Sequence, residues 1–180
     1  MITEKHTIKC ESVFNDERTH RYLVKRVWDK DKPCMAVIMI NPCMSDNVVT
    51  DTTTMLVINN VARMEEYGGV HILNLYSMLT NKLCFRFNSD EDLSHKENDT
   101  YILQSAEECS KVILAWGKTE NTNQRIGERA AKVVNLLQPF SDKLFQISDG
   151  ERIGLHPLTP TARARLDLVK FDAKKTAEKQ

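Results

Sequence analysis

An apolar run that stops at an Asn-Pro pair constrains this chain more than any other feature. Five consecutive apolar residues, 36–40, are typical of a strand buried on both faces, as at the centre of a parallel sheet. Pro42 has no N–H to donate to a sheet ladder and restricts Asn41 to extended conformations, so the strand should end there. Ligands bind at the carboxyl ends of strands in open α/β sheets. Asn41 is therefore a first candidate for a functional side chain.

Alternating strand-like and helical segments predict the fold class. The strand-like segments are residues 36–40, 70–76, 111–116 and 143–148. The helical segments start near Thr50 or Asp51, near residue 96, at Thr122 or Asn123, and at residue 161, where the last is expected to run to residue 171. This order predicts a three-layer α/β/α fold around a mostly parallel four-stranded sheet with right-handed crossovers.

The N-terminal part predicts a β-hairpin beside this core. Residues 7–14 and 21–28 both have strand character, and a polar turn at residues 15–18 separates them. A chain of 180 residues is the size of one domain. We therefore expect a single α/β domain with the hairpin at 7–28, the core at 34–171 and a polar tail at 172–180.

Composition excludes several classes of protein. Lys+Arg and Asp+Glu both number 25, so the chain has no global basic field for tight, non-specific binding to duplex DNA, although a local patch stays open. The five cysteines form no Cys-x-x-Cys or Cys/His cluster, which argues against a disulfide framework or a metal site and favours the cytoplasm. No apolar run reaches the length of a membrane span. The oligomeric state cannot be derived from these patterns.

Polar features follow the ends of four successive predicted strands. They are Asn41-Pro42, Asn74, Trp116-Gly117 and His156-Pro157. Each alone has an ordinary explanation, since an Asn before Pro often forms a turn, a strand Asn can bond the backbone, and a Trp beside Gly usually packs. The carboxyl ends of parallel strands lie on one edge of a sheet, so all four features should converge on one pocket.

The ordered motifs carry a resemblance to a known family. They are Arg21-x-Leu23-x-x-Arg26-x-Trp28, Met39-Ile40-Asn41-Pro42, Gly68-Gly69-x-x-x-x-Asn74-Leu75, Asn98-Asp99, Trp116-Gly117 and His156-Pro157-Leu158. From about Arg21 to Leu158, this set resembles a family of uncharacterised bacterial and phage proteins known only as a domain of unknown function. That resemblance implies no activity.

A more distant resemblance is to the uracil-DNA glycosylase superfamily. Ile40-Asn41-Pro42 is similar to its first motif, Leu73-Asn74 to its base-reading segment, Leu114-Ala115-Trp116-Gly117 to its Trp-Gly strand and His156-Pro157-Leu158 to its catalytic-histidine loop. The order of the motifs along the chain is also similar.

This second resemblance implies a site for an extruded base. His156 would donate a hydrogen bond to the departing base, Asn41 would orient the attacking water, and Asn74 would read the pyrimidine edge. Pro42, Trp116 and Gly117 would line the pocket and Arg163, with Arg165, would contact phosphate, unless these arginines only form a solvated helix face. No cofactor or metal is implied.

The resemblance does not identify a residue that would act as the general base. An Asn side chain cannot take a proton as a carboxylate does, so Asn41 implies slow hydrolysis unless another group acts as base. Asp46 or Asp51 could do so, although a helix cap is the more ordinary role for Asp51. Cys43 is expected to be an inert thiol and His71 a structural residue.

Three functions therefore compete. The first is an N-glycosylase acting on a nucleic acid or nucleotide. The second is a binding module that holds a nucleotide, modified base or nucleic-acid end without turnover. The third, a phosphotransferase or nucleotide hydrolase, is disfavoured because the chain has neither a Gly-x-Gly-x-x-Gly nor a Walker-type loop.

Overall fold

The computed structural model describes residues 1–44, 48–118 and 123–172, which form strands and helices in alternation. The strands are β1 (Lys9–Phe14), β2 (Arg21–Val27), β3 (Cys34–Met39), β4 (Gly69–Asn74), β5 (Lys111–Leu114), β6 (Leu144–Ser148) and β7 (Asp167–Lys170). The helices are α1 (Thr52–Arg63), α2 (Asp90–Leu93), α3 (Asn98–Glu108), α4 (Gln124–Leu136) and α5 (Pro160–Ala164), with a 3-10 helix at Gln138–Lys143.

All seven described strands belong to one mixed sheet in the order β1-β2-β4-β3-β5-β6-β7. β3 is parallel to both β4 and β5, and β5 is parallel to β6. β1 is antiparallel to β2, β2 to β4 and β7 to β6. The predicted α/β class is confirmed. The predicted mostly parallel four-stranded sheet is not confirmed, because the N-terminal hairpin joins the sheet through β2 and β4, β7 adds a strand at the other edge, and three of the six pairs of described strands are antiparallel.

The C-terminal part corrects a second prediction. A helix was expected over residues 161–171, but α5 ends at Ala164 and β7 follows. In β7, Leu168 pairs with Ile147 of β6 and packs on the core, while its neighbours in the strand are more exposed. Pairing with the free edge of β6 satisfies backbone groups that would otherwise be exposed there, and this non-local gain outweighs the helical pattern.

Each face of the sheet carries its own apolar cluster. Ala36 and Ile38 of β3 pack with α3 and α4 on one face. Met35, Val37 and Met39 pack with α1 and α5 on the other face. Successive residues of β3 therefore point into opposite cores, which explains why the strand reads as an unbroken apolar run.

Helix caps agree with the predicted starts of two helices and mark the start of one helix that was not predicted. Asp51 is the N-cap of α1, accepting from the Thr54 N–H, and Asn123 caps α4; Thr122 lies outside the described residues. Sequence periodicity missed α2, although Ser89 and Asp92 form a reciprocal capping box at its start. Of the predicted tail, residues 173–180 are outside the described part of the chain. None of the described helices has the length and apolar character needed to span a membrane.

Candidate functional site

Asn41 joins the loops that leave β3 and β4. The Leu75 and Tyr76 N–H groups donate to the carbonyls of Met39 and Ile40 at 2.9 Å, which extends the strand pairing beyond β3. The Asn41 Nδ2 then donates to the Thr80 carbonyl at 2.8 Å. Among the described residues, no donor contacts the Asn41 Oδ1. The amide therefore keeps a half-exposed acceptor at the carboxyl edge of the sheet.

Asn74 ends β4 with an unsatisfied acceptor. It pairs in register with Met39, which places its side chain on the α1 and α5 face of the sheet. The residue is 3% exposed, and its Oδ1 has no hydrogen-bond partner. A buried acceptor without a partner costs about 1–3 kcal/mol, so it marks a position where a ligand N–H would be stabilising.

Gly117 and His156 lie against each other. Gly117 has φ +76°, and a Cβ built on it would lie 3.3 Å from the His156 Cβ. The Leu158 N–H donates to the His156 Nδ1 at 3.2 Å, so the proton of the neutral imidazole is on Nε2. Partial burial lowers the pKa of His156 below its ordinary value. His156 is therefore a neutral ring with an Nε2–H donor available to a ligand.

The remaining predicted substrate-binding residues occupy different surroundings. Pro42 is buried, and its carbonyl accepts from the Thr80 N–H at 3.2 Å. Trp116 is 8% exposed and packs in the cluster below α3 and α4, on the face opposite Asn74. Arg163 is exposed, and its Nε donates to the Leu158 carbonyl at 2.6 Å, which ties the side chain to the His-Pro loop. The structure thus pairs Asn41 with Thr80 and Gly117 with His156, while Trp116 faces away.

The candidate general bases have other roles or cannot be described. The Asp51 Oδ1 accepts from the Thr54 N–H at 3.0 Å, so the predicted helix cap is confirmed. Asp46 lies outside the described residues. His71 is buried 3.2 Å from the Ser105 hydroxyl, away from the strand ends, as expected of a structural residue. Among the described residues, no three His, Cys, Asp or Glu side chains are grouped so as to hold a metal ion.

A comparison with family models identifies the family. A family described as protein of unknown function, DUF1643, matches residues 21–158. The chain belongs to this family. The match confirms the predicted resemblance to a domain of unknown function, over the same residues. Searches of curated proteins and of solved structures find no match, so neither comparison shows a relation to uracil-DNA glycosylases.

The DUF1643 region contains two buried arginines to which sequence reasoning assigned no role. Arg21 and Arg26 of β2 are each 5% exposed. Burial lowers the pKa of Arg21, while Cys43 and Asp51 raise it, so positive charge lies near the loop that follows Asn41-Pro42. The signal was present in the sequence, because charged residues are rarely found in strands that are otherwise buried.

A second set of DUF1643 residues supports the end of β4. The Asn98 Nδ2 donates to the carbonyls of Asn74 and Leu75 at 3.0 and 3.2 Å. The Arg129 Nε donates to the Leu75 carbonyl at 2.8 Å, and the Asp99 carboxylate binds both Arg129 Nη atoms. The Asn98-Asp99 motif therefore fixes the backbone that presents Asn74.

Proposed function

We propose that this DUF1643 chain binds a pyrimidine base at the carboxyl edge of its sheet and hydrolyses the bond between base and sugar. The observation that carries the proposal is the buried, unpartnered Oδ1 of Asn74. A pyrimidine edge offers adjacent N–H and carbonyl groups, and an Asn amide can accept from one and donate to the other. The motif order shared with uracil-DNA glycosylases supports the same assignment.

His156 supplies the group that stabilises the departing base. As the glycosidic bond breaks, positive charge develops on the sugar and negative charge on the base oxygens. The Nε2–H of His156, whose tautomer follows from the Leu158 contact at 3.2 Å, is the donor for this charge. A preorganised donor of this kind lowers the barrier by about 3–4 kcal/mol.

Asn41 orients the water in this mechanism. Its Nδ2 is held by the Thr80 carbonyl, which leaves the Oδ1 to accept a hydrogen bond from water. The water oxygen bonds to the sugar carbon, the electron pair of the glycosidic bond leaves with the base, and the water proton passes to solvent or to the base. Because an amide takes up no proton, the reaction depends on leaving-group stabilisation and is expected to be slow.

A second function is favoured by one observation. Asp51 uses its Oδ1 to cap α1, and no carboxylate among the described residues bonds to Asn41. A site whose described residues place no carboxylate beside Asn41 suits a module that holds a nucleotide or nucleic acid without turnover. All five cysteines are free thiols, which supports a reducing compartment such as the cytoplasm for either function.

Base release by the purified protein tests the proposal. The substrates are free nucleosides and single- and double-stranded oligonucleotides that contain uracil, mismatched pyrimidines or modified pyrimidines. We expect release that is abolished in Asn41→Ala, Asn74→Ala and His156→Ala, and unchanged in the exposed controls Asn59→Ala and His6→Ala.

The outcomes separate the two functions. Release that is unaffected in Asn41→Ala or His156→Ala would overturn their assigned roles. Saturable binding without release, lost in Asn74→Ala, would establish the binding module instead.

A further inference from the structure

Phe87 is the only exposed aromatic side chain in the described residues. It is 78% exposed, in the segment between β4 and α2. Other exposed apolar side chains, Met44, Val48, Val49 and Met55, lie in or beside the loop between β3 and α1. Both segments follow strands at their carboxyl ends. Apolar groups left in water beside a candidate site indicate an interaction surface.

The turn that carries Phe87 is held firmly by its neighbours. The Arg125 Nη1 donates to the Phe85 carbonyl at 2.8 Å, and both Nη atoms donate to the Asn88 carbonyl at 3.2 Å. The Phe85 ring packs edge-on against Tyr76 at 5.8 Å, and the Asn88 Nδ2 donates to the Cys84 carbonyl at 2.8 Å. Phe85 is therefore anchored inward while Phe87 is presented to solvent.

A guanidinium group lies over the exposed ring. The Arg86 guanidinium lies 5.3 Å from the centre of the Phe87 ring, and Lys82 is exposed in the same segment. Of the nearby acids, Asp90 pairs with Arg125, and Asp92 accepts from Ser89 at the start of α2; Glu91 is exposed. An exposed aromatic ring with a guanidinium beside it is an arrangement that binds an unpaired base and its phosphate.

The segment is also continuous with the candidate site. It contains Thr80, whose carbonyl accepts from the Asn41 Nδ2 at 2.8 Å. A nucleotide bound at the strand ends would thus have Phe87 on a neighbouring loop. Because the net charge of the chain is zero, stacking must supply much of the affinity for such a strand.

We propose that Phe87 is a stacking platform for an unpaired base of a single-stranded nucleic acid, with Arg86 and Lys82 beside its phosphates. The inference rests on the proposed function for the identity of the neighbouring site, and it narrows the substrate from a free nucleotide to a strand. Binding of the strand itself does not require turnover.

Fluorescence anisotropy with labelled oligothymidylate, an oligouridylate of equal length and a duplex tests this surface. We expect Phe87→Ala to weaken binding to a single strand about tenfold, in the range that loss of one stacked base produces. Phe87→Trp should bind at least as well as the native chain. The control Ile8→Ala removes another exposed apolar side chain, 55% exposed in the segment before β1, and should leave binding unchanged.

Salt dependence tests the two cations. Arg86→Gln and Lys82→Gln should each reduce the slope of log affinity against log salt by about 0.7, the value for one phosphate contact on a single strand. Lys30→Gln, in the exposed turn before β3, is the matched control and should leave the slope unchanged.

The results separate this inference from the proposed function. Single-strand binding that is equal in Phe87→Ala and the native chain overturns the stacking platform, even if base release is observed. Release from nucleosides that is unaffected by Phe87→Ala, with release from strands reduced, supports both. Binding of a single strand that depends on Phe87, without any base release, supports the stacking platform and overturns the proposed glycosylase activity. Concentration-dependent self-association through Phe87 without strand binding would make the surface a protein contact and overturn the inference.

Discussion

The Cα of Gly117 packs so closely on His156 that a Cβ there would lie 3.3 Å from the His156 Cβ. The glycine also has φ +76°, in the left-handed region that L side chains rarely adopt. The backbone conformation therefore favours glycine, and any side chain at this position would have to shift His156, the candidate donor, by a few tenths of an ångström. Gly117 belongs to the strand-end loop after β5, whereas His156 comes from the loop after β6.

Gly117→Ala should impair the site as well as the fold. The backbone conformation alone costs about 1–2 kcal/mol of unfolding free energy, and displacement of His156 should lower ligand binding or base release about tenfold or more. Gly150→Ala provides a matched control, because Gly150 has φ +89° and nothing lies within 4 Å of its added Cβ. Denaturant unfolding should show similar losses in both variants, with the functional loss confined to Gly117→Ala. Equal function in the two variants would refute the contact as a positioning feature.

His71 should make the protein less stable as the pH falls below 6.5. Burial, followed by the charge of Lys25, lowers the pKa of His71 to about 4, while in the unfolded chain this pKa stays near the ordinary histidine value of 6.5. Between these values the unfolded chain binds more protons than the native chain, so acid lowers the unfolding free energy. The unfolding free energy therefore falls by about 3 kcal/mol in total, progressively from pH 6.5 down to pH 4.

Removal of His71 should flatten that dependence. The free energy of unfolding is measured by denaturant at several pH values for His71→Gln and for the native chain. The difference between the two gives the contribution of His71, because the contributions of the other titrating groups cancel. A difference that stays constant from pH 7 to pH 4 would show that His71 titrates alike in both states.

Arg129→Met should destabilise the protein more than Arg152→Met. The Arg129 side chain is 11% exposed, and its loss removes the Asp99 pair and the donor to the Leu75 carbonyl. We expect a loss of about 2 kcal/mol, since Asp99 is still partly hydrated. Arg152 pairs with Asp149 but is 53% exposed, so Arg152→Met should change the unfolding free energy by no more than about 1 kcal/mol. Equal losses in thermal or denaturant unfolding would contradict this ranking.

The parts of the fold that could be predicted are those with a local signal. The apolar run of β3, the start of α1 at Asp51 and the hairpin turn before β2 each depend on a few neighbouring residues. The attachment of β2 to β4 and the strand β7 could not be derived in this way. Both depend on which sheet edges are left open by the rest of the chain, as the pairing of Leu168 with Ile147 illustrates.

The candidate site could likewise be predicted only in part from the sequence. Parallel strands end on one edge, so the placement of polar residues after β3, β4, β5 and β6 at the same edge of the sheet follows from topology. The hydrogen bond from Asn41 to Thr80 does not follow, because it depends on the path of a long loop. The same is true of Trp116, whose ring packs on the α3 and α4 face although its neighbour Gly117 contacts His156.

Asn74→Leu should separate function from stability. The Asn74 Oδ1 is buried without a partner, so a leucine of similar size removes an unsatisfied acceptor and should leave the unfolding free energy unchanged or raise it by about 1 kcal/mol. Ligand binding or base release should be lost, because the variant lacks the amide that would form hydrogen bonds with the pyrimidine edge. Asn98→Leu is the contrasting variant, because the Asn98 Oδ1 is also buried without a partner but its Nδ2 donates to the carbonyls of Asn74 and Leu75, and the loss of these bonds should destabilise the fold. Denaturant unfolding and ligand binding on both variants provide the measurement. If Asn74→Leu were strongly destabilised, its amide would be part of the fold, and the argument for a ligand at this position would fail.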